Sequence, residues 1–150
     1  MRPNDTTPEV SWYDMTRDNP GQLTDHDFAE LLRFRDALRR FLRWSEDEAR
    51  AAGLTPAQHQ LLLAVRGHDG DPTIGDVADH LRLRHHSAVE LVDRAERAGL
   101  LQRRTDPDDR RVVHLELTAD GDAHLAALSA AHLAELRRLQ RGLRLPALAD

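Results

Sequence analysis

The sequence contains no cysteine, which excludes a disulfide scaffold, a zinc ribbon and a thiol-based redox switch. It contains no lysine either. All 21 basic residues are arginine, a bias that GC-rich codon usage accounts for and that carries no functional weight. No apolar run approaches the ~20 residues needed to cross a bilayer. The N-terminus lacks the basic, apolar and small-residue order of a secretory signal, so a cytoplasmic chain without a membrane partner is expected. Catalytic signatures are missing as well: there is no nucleophile motif, no glycine-rich phosphate loop and no acid pair in a recognisable context. The expectation is no enzyme, no catalytic residue and no cofactor.

What remains is a chain of 150 residues, 40% hydrophobic and 31% charged, long enough for one globular domain with its own core. Its net charge of −5 is unevenly spread. Residues 82–111 hold eight arginines, two histidines and six acids, a local excess of two positive charges that leaves −7 on the remainder. Residues 1–27 hold six acids and two arginines. Positive charge gathered in one stretch is what a local anion-binding surface requires, although a solvated helical protein shows similar fluctuations.

Residues 1–25 read as a polar arm with Pro3, Pro8, Pro20 and Gly21, in which Trp12 and Tyr13 are either an anchor or chance neighbours. From Phe28 the apolar residues recur at three- and four-residue spacing, predicting a helix over about 26–52 that ends at Gly53. Thr55-Pro56-Ala57-Gln58 reads as a capping box opening helix 2. Thr73 starts a short helix 3. After a tight turn at 82–84, helix 4 buries Ala88, Leu91, Val92 and Ala95, and Gly99 ends it. The period then changes to that of strands over 100–105 and 111–117, joined by Asp106-Pro107-Asp108-Asp109. Thr118 caps a last helix over about 118–143, whose Leu125, Leu128, His132, Leu136, Leu139 and Leu143 lie near a 3.5-residue repeat. So long a stripe, matched by helix 1, outruns what a small central module can cover, and a second copy of the chain is the simplest partner.

Three helices, a tight turn, a fourth helix and a β-hairpin are the element order of a winged helix-turn-helix. The fold class expected is therefore mainly α with a small β-hairpin wing, with long terminal helices for dimerisation. In this arrangement helix 4 lies in the major groove of double-stranded DNA. Its exposed candidates are Arg84, His85, His86, Ser87 and Glu90, with Arg94 a turn further on. A solvated helix face explains this helix alone equally well. The hairpin decides between them: Asp109-Arg110-Arg111 at its tip can hold one arginine toward a narrow minor groove, with Asp109 orienting Arg111 through a charge-assisted bond.

Segment 100–121, LLQRRTDPDDRRVVHLELTADG, resembles the signature of the multiple antibiotic resistance regulator (MarR) family: a Gly-Leu…Arg entry, an Asp-Pro-x-Asp-x-Arg wing and a Leu-Thr-x-x-Gly helix start. The resemblance extends to Leu54–Gln58, Ala78 and Leu81. It implies one domain over 26–145, with dimerisation helices at about 26–52 and 118–143, a winged helix-turn-helix at about 54–117, and a tail at 146–150. By position, Arg111 matches the family's minor-groove arginine, Asp109 its brace and Arg110 the neighbouring basic site. The resemblance further implies a homodimer on a pseudo-palindromic operator, acting as a repressor, and a cleft for a small aromatic or anionic effector. Trp44, His59 and Arg66 are candidates to line that cleft from their places on helices 1 and 2, although a tryptophan there is more often core or interface. The sequence departs from the family at Ser87-Ala88-Val89-Glu90, where Ser-Thr-Val-Thr is common, so the operator sequence cannot be carried over.

Nine histidines raise a metal- or pH-responsive alternative. His85 and His86 point about 100° apart on a helix and cannot chelate together. His124 and His132 need a second helix to complete a site, and no His-x-x-x-His pair exists. No metal ligand is expected, and a histidine pH response is the form of this alternative that stays open. The other alternative is a winged-helix module that docks a protein, which net acidity favours and the arginine-tipped wing does not.

Overall fold

Two threonines fix where the central helices begin. In a computed structural model, which describes residues 23–142, Thr55 caps α2 (Pro56–Gly67) and Thr73 caps α3 (Ile74–Leu81). Each threonine side chain accepts from the backbone three residues on, while Gln58 and Asp76 return a bond to the cap's own N–H. Both first turns thus have two orphan donors satisfied reciprocally. Helix α3 stops at Arg82, which adopts a left-handed conformation (φ 55°, ψ 38°) and lets Leu83 N–H reach the Ala78 carbonyl at 2.9 Å. Three residues later α4 (His85–Arg97) begins, so the tight turn sits where the sequence places it.

The apolar faces of these helices meet around Leu61, Val65, Val77, Leu91, Val92 and Ala95. The hairpin closes this core from the other side. Strand β1 (Leu101–Thr105) pairs antiparallel with β2 (Val113–Leu117), with Leu101 opposite Leu117 and Arg104 opposite His114. Leu101 and Leu115 enter the core, as the alternation of Val113, Leu115 and Leu117 predicts. Both strands are shorter at one end than the sequence reading has them, since Gly99–Leu100 and Arg111–Val112 are spent on turns.

Helix α5 (Ala119–Gly142) is tied to the hairpin through its first turn. Thr118 Oγ1 donates to the Gly99 carbonyl at 2.6 Å and accepts from Gly121 N–H at 3.0 Å, while Thr118 N–H donates to Leu100. Gly121 lies so close to Leu100 that a Cβ would overlap its carbonyl. The helix then buries Leu125 and Leu128 against Leu54, Leu62 and Leu100 in a second cluster.

Helix α1 (Asp25–Ala51) belongs to two compact units, one reaching to Asp36 and the other running from Ala37 to Arg144. In the first, Asp27 accepts from both the N–H and the hydroxyl of Thr24 at 2.7 Å, which starts the helix. The polar arm with Trp12 and Tyr13, Leu143 and the 146–150 tail lie outside the described residues.

Candidate nucleic-acid interface

Helix α4 turns one face to the core and leaves His85, His86, Glu90 and Arg94 exposed on the other. Ser87 is half-buried beside Ala88. Arg84 is the N-cap residue and offers no side-chain cap, so first-turn N–H groups of α4 have no capping oxygen from that position. Of the candidates the sequence singles out here, Arg84 stands at the N-cap, His85, His86, Ser87 and Glu90 share the first two turns with Ser87 the least accessible, and Arg94 lies a turn further on.

The wing is built on one aspartate. Asp106 Oδ1 accepts from Asp108 N–H at 2.8 Å and Asp109 N–H at 2.9 Å, an Asx turn that folds the tip. Backbone bonds from Asp106 N–H to Val112 and from Val112 N–H to Asp109 close it. These donors, Asp109 first, with His114 next, hold the Asp106 carboxyl down to about 2. Asp109 in turn grips Arg111 with both oxygens, at 3.1 Å to Nε and 3.1 Å to Nη2, and also accepts its backbone N–H at 3.0 Å. The Arg111 bonds hold the Asp109 carboxyl below the usual range. Arg111 is nevertheless 90% exposed. A guanidinium anchored along one edge, with the rest in solvent, is oriented for an external anion. Arg110 is exposed beside it.

Two arginines of the basic segment do a different job. Arg103 joins the hairpin to α4, pairing with Glu96 and with Asp93 at 2.6 Å. Arg104 pairs with Asp71 in the α2–α3 loop. Sequence reasoning missed these struts, and the only signal for the first was the Asp93/Glu96 spacing, which puts two acids on one helix edge.

The suggested cleft residues separate into two places. Trp44 and His59 come together around His132, with ring centroids 4.9 and 4.8 Å from it, and Phe41 joins the cluster. Burial, and then His132, push His59 below its ordinary pKa. Arg66 instead pairs with Asp122 at 3.2 Å and lines a groove with Pro72 and Thr118, whose walls include neither Trp44 nor His59. His132 and Ser45, bonded at 2.6 Å, were not foreseen, because they lie 87 residues apart. Among the described residues no three ligating side chains group as a metal site, and no helix is long and apolar enough to cross a membrane.

A helix pair with a tight turn, followed by a two-stranded hairpin with a braced arginine at its tip, defines the winged helix-turn-helix class. Solved structures agree on the fold. AbsC, a MarR family transcriptional regulator from Streptomyces coelicolor, superposes with a TM-score of 0.66 at 23% identity, covering 83% of this chain and 85% of that one. A mutant S. aureus MepR bound to an oligodeoxyribonucleotide gives 0.63 at 20% identity, over 84% and 87%. Residues 52–112 match the MarR family model. The HTH-type transcriptional repressor MdtR of Bacillus subtilis is 30% identical over 86 residues, 57% of this chain and 55% of MdtR. The regulator MhqR of the same organism is 32% identical over 84 residues, 56% and 57% of the two chains. The chain thus spans little more than half the length of these curated relatives. Residues 52–112, the segment similar to the MarR family model, hold the helix-turn-helix and most of the wing.

Proposed function

We propose that the protein is a cytoplasmic DNA-binding transcriptional regulator, acting as a homodimeric repressor on a pseudo-palindromic operator. The observation that carries this reading is the exposed, doubly bonded Arg111 at the wing tip, beside an α4 face bearing Arg84, His85, His86, Ser87, Glu90 and Arg94. In this reading α4 enters the major groove and Arg110 and Arg111 approach the adjacent minor groove. Two heads then engage half-sites about one helical turn, ~34 Å, apart. Support for the second copy comes from large apolar side chains left in solvent, Leu38 and Leu42 on α1 and Leu133 and Leu136 on α5 among them.

Release by a small aromatic or anionic effector is a second element of the proposal. The Trp44–His59–His132 cluster favours it, because an aromatic effector that inserted there would find rings to pack against.

The test is binding of the purified protein to its own promoter region and to random duplex across a salt series. A salt-sensitive preference for the promoter, lost in a folded Arg111→Ala variant, is the expected result. No binding to either duplex would overturn the DNA reading and leave the protein-docking module in its place.

A further inference from the structure

Histidine side chains in a folded protein reveal their charge through what surrounds their two nitrogens. A neutral imidazole has one donor and one acceptor; only the cation donates twice. In the described structure most close histidine contacts are satisfied by the neutral ring. His68 Nδ1 and His80 Nε2 face each other at 3.1 Å, one donating and one accepting. His132 reaches the Leu128 carbonyl through Nδ1 and Ser45 Oγ through Nε2, and a hydroxyl can donate as readily as accept.

His114 is different. Its Nδ1 lies 2.9 Å from the backbone carbonyl of Asp71, and its Nε2 lies 2.9 Å from Asp106 Oδ2. A carbonyl accepts only. Asp106 is a carboxylate, fixed as one by the Asp108 and Asp109 N–H donors on its other oxygen. Both partners therefore require a proton from the ring, and a neutral ring leaves one contact as two facing lone pairs. The His114 side chain is only 14% exposed, so water replaces the lost bond poorly.

We propose that His114 is a positioning residue that works as an imidazolium clamp: doubly protonated, it locks the wing turn at Asp106 to the α2–α3 loop at Asp71, and deprotonation frees the wing tip. The charges around it are arranged for this. Asp106 faces it from the turn and Asp71 from the loop, while Arg104, its cross-strand neighbour, is itself paired with Asp71 and lies 4.0 Å from Glu116. One guanidinium and one imidazolium thus sit among three carboxylates, which favours the cation. The bond to Asp106 is the leading cause that holds His114 above its ordinary value. Backbone contacts at Thr73↔His114 and from Leu115 N–H to the Pro72 carbonyl fix the root of β2 whatever the charge. The effect of deprotonation is therefore confined to the tip, where Asp106 organises Asp109 and, through it, Arg111.

A histidine whose folded pKa is raised contributes fully below its unfolded value, near 6.5, and the contribution disappears as pH rises through the folded value.

The primary test needs no DNA: imidazole 15N–1H correlation spectra and hydrogen-exchange protection of the Asp108, Asp109 and Arg111 amides, from pH 6 to 9, in the wild type and His114→Gln. Expected are two protonated ring nitrogens on His114 persisting above pH 7, with amide protection falling as they titrate. In His114→Gln the protection is low and flat with pH. A single neutral tautomer at pH 7, or tip protection that does not follow the titration, overturns the clamp. The consequence for DNA rests on the function proposed above and is read separately, as the ratio of wild-type to His114→Gln affinity across the same pH range. Groups common to both proteins cancel in that ratio, which should fall toward one as the pH rises. If neither protein binds duplex, the DNA reading fails while the spectra still decide the clamp.

Discussion

An exposed arginine samples many rotamers, and fixing it on binding costs free energy. Asp109 removes part of that cost in advance by holding Arg111 through three bonds, from Nε, Nη2 and the backbone N–H. Two variants separate the arginine's charge from its orientation. Arg111→Ala removes the contact itself and should weaken operator binding roughly ten- to a hundredfold. Asp109→Asn keeps the shape and the arginine but loses the charged fork, and a loss of only a few-fold is expected. Titration of a labelled duplex checks both; equal losses would mean that Asp109 does as much as Arg111. Gly121 poses a residue-scale test of a different kind. A Cβ there overlaps the Leu100 carbonyl, which is backbone and cannot swing aside. Gly121→Ala should therefore destabilise by roughly 1–3 kcal/mol, as overpacking does. Gly67→Ala, where a Cβ meets nothing within 4 Å, should be neutral or slightly stabilising. Urea unfolding of the two variants distinguishes a true close approach from a general intolerance of glycine replacement.

At the scale of elements, local signals in the sequence were legible and contacts between elements were not. Thr55 with Gln58, the Thr73 start, the Arg82–Arg84 turn and the Asp106–Asp109 turn are all decided within four residues, and each stands where the pattern places it. The Asp109–Arg111 pair was legible for the same reason. His114 was not: its partners are 8 and 43 residues away, and only the packing of β2 on the α2–α3 loop brings them together. Arg66 meets the same limit, since a place on α2 does not say which side its long chain takes; it pairs with Asp122. The start of α3 offers the clearest element-scale test, because this helix supports α4 from behind. Thr73→Ala removes the capping hydroxyl and should cost about 1 kcal/mol. Thr73 also holds the Asp76 carboxyl below its ordinary value, through the backbone bond first and the hydroxyl second. A carboxyl depressed in the folded state stabilises above its unfolded pKa and loses that contribution as pH falls through the folded value. As the pH falls below about 4, the wild type should thus lose stability more steeply than Thr73→Ala, which thermal melts across the acid range will show.

For the whole molecule, the distribution of apolar surface bears on the assembly. Single exposed leucines are ordinary on a monomer. Here, however, they recur along helical faces: Leu38 and Leu42 on α1 are 45% and 51% exposed, and Leu133 and Leu136 on α5 are 52% and 45% exposed. On α5, Leu136 continues the face that Leu125 and Leu128 bury in the core and Leu133 flanks it, so the helix carries its apolar stripe past the end of its own domain's packing. A second copy that covers this stripe would also supply the second reading head, and joining two heads raises the effective concentration of one for its half-site without any new DNA contact. Because both leucines are about half exposed, Leu133→Glu with Leu136→Glu should leave the helix content of the chain nearly unchanged by circular dichroism. In sedimentation equilibrium the wild type should run at about twice its 17.0 kDa chain mass, and the double variant near the chain mass itself. The variant should also lose preference for a two-half-site duplex over a single half-site. A wild type that sediments as a monomer at micromolar concentration would sink the homodimer. A variant that remains dimeric would move the interface off α5 and onto α1.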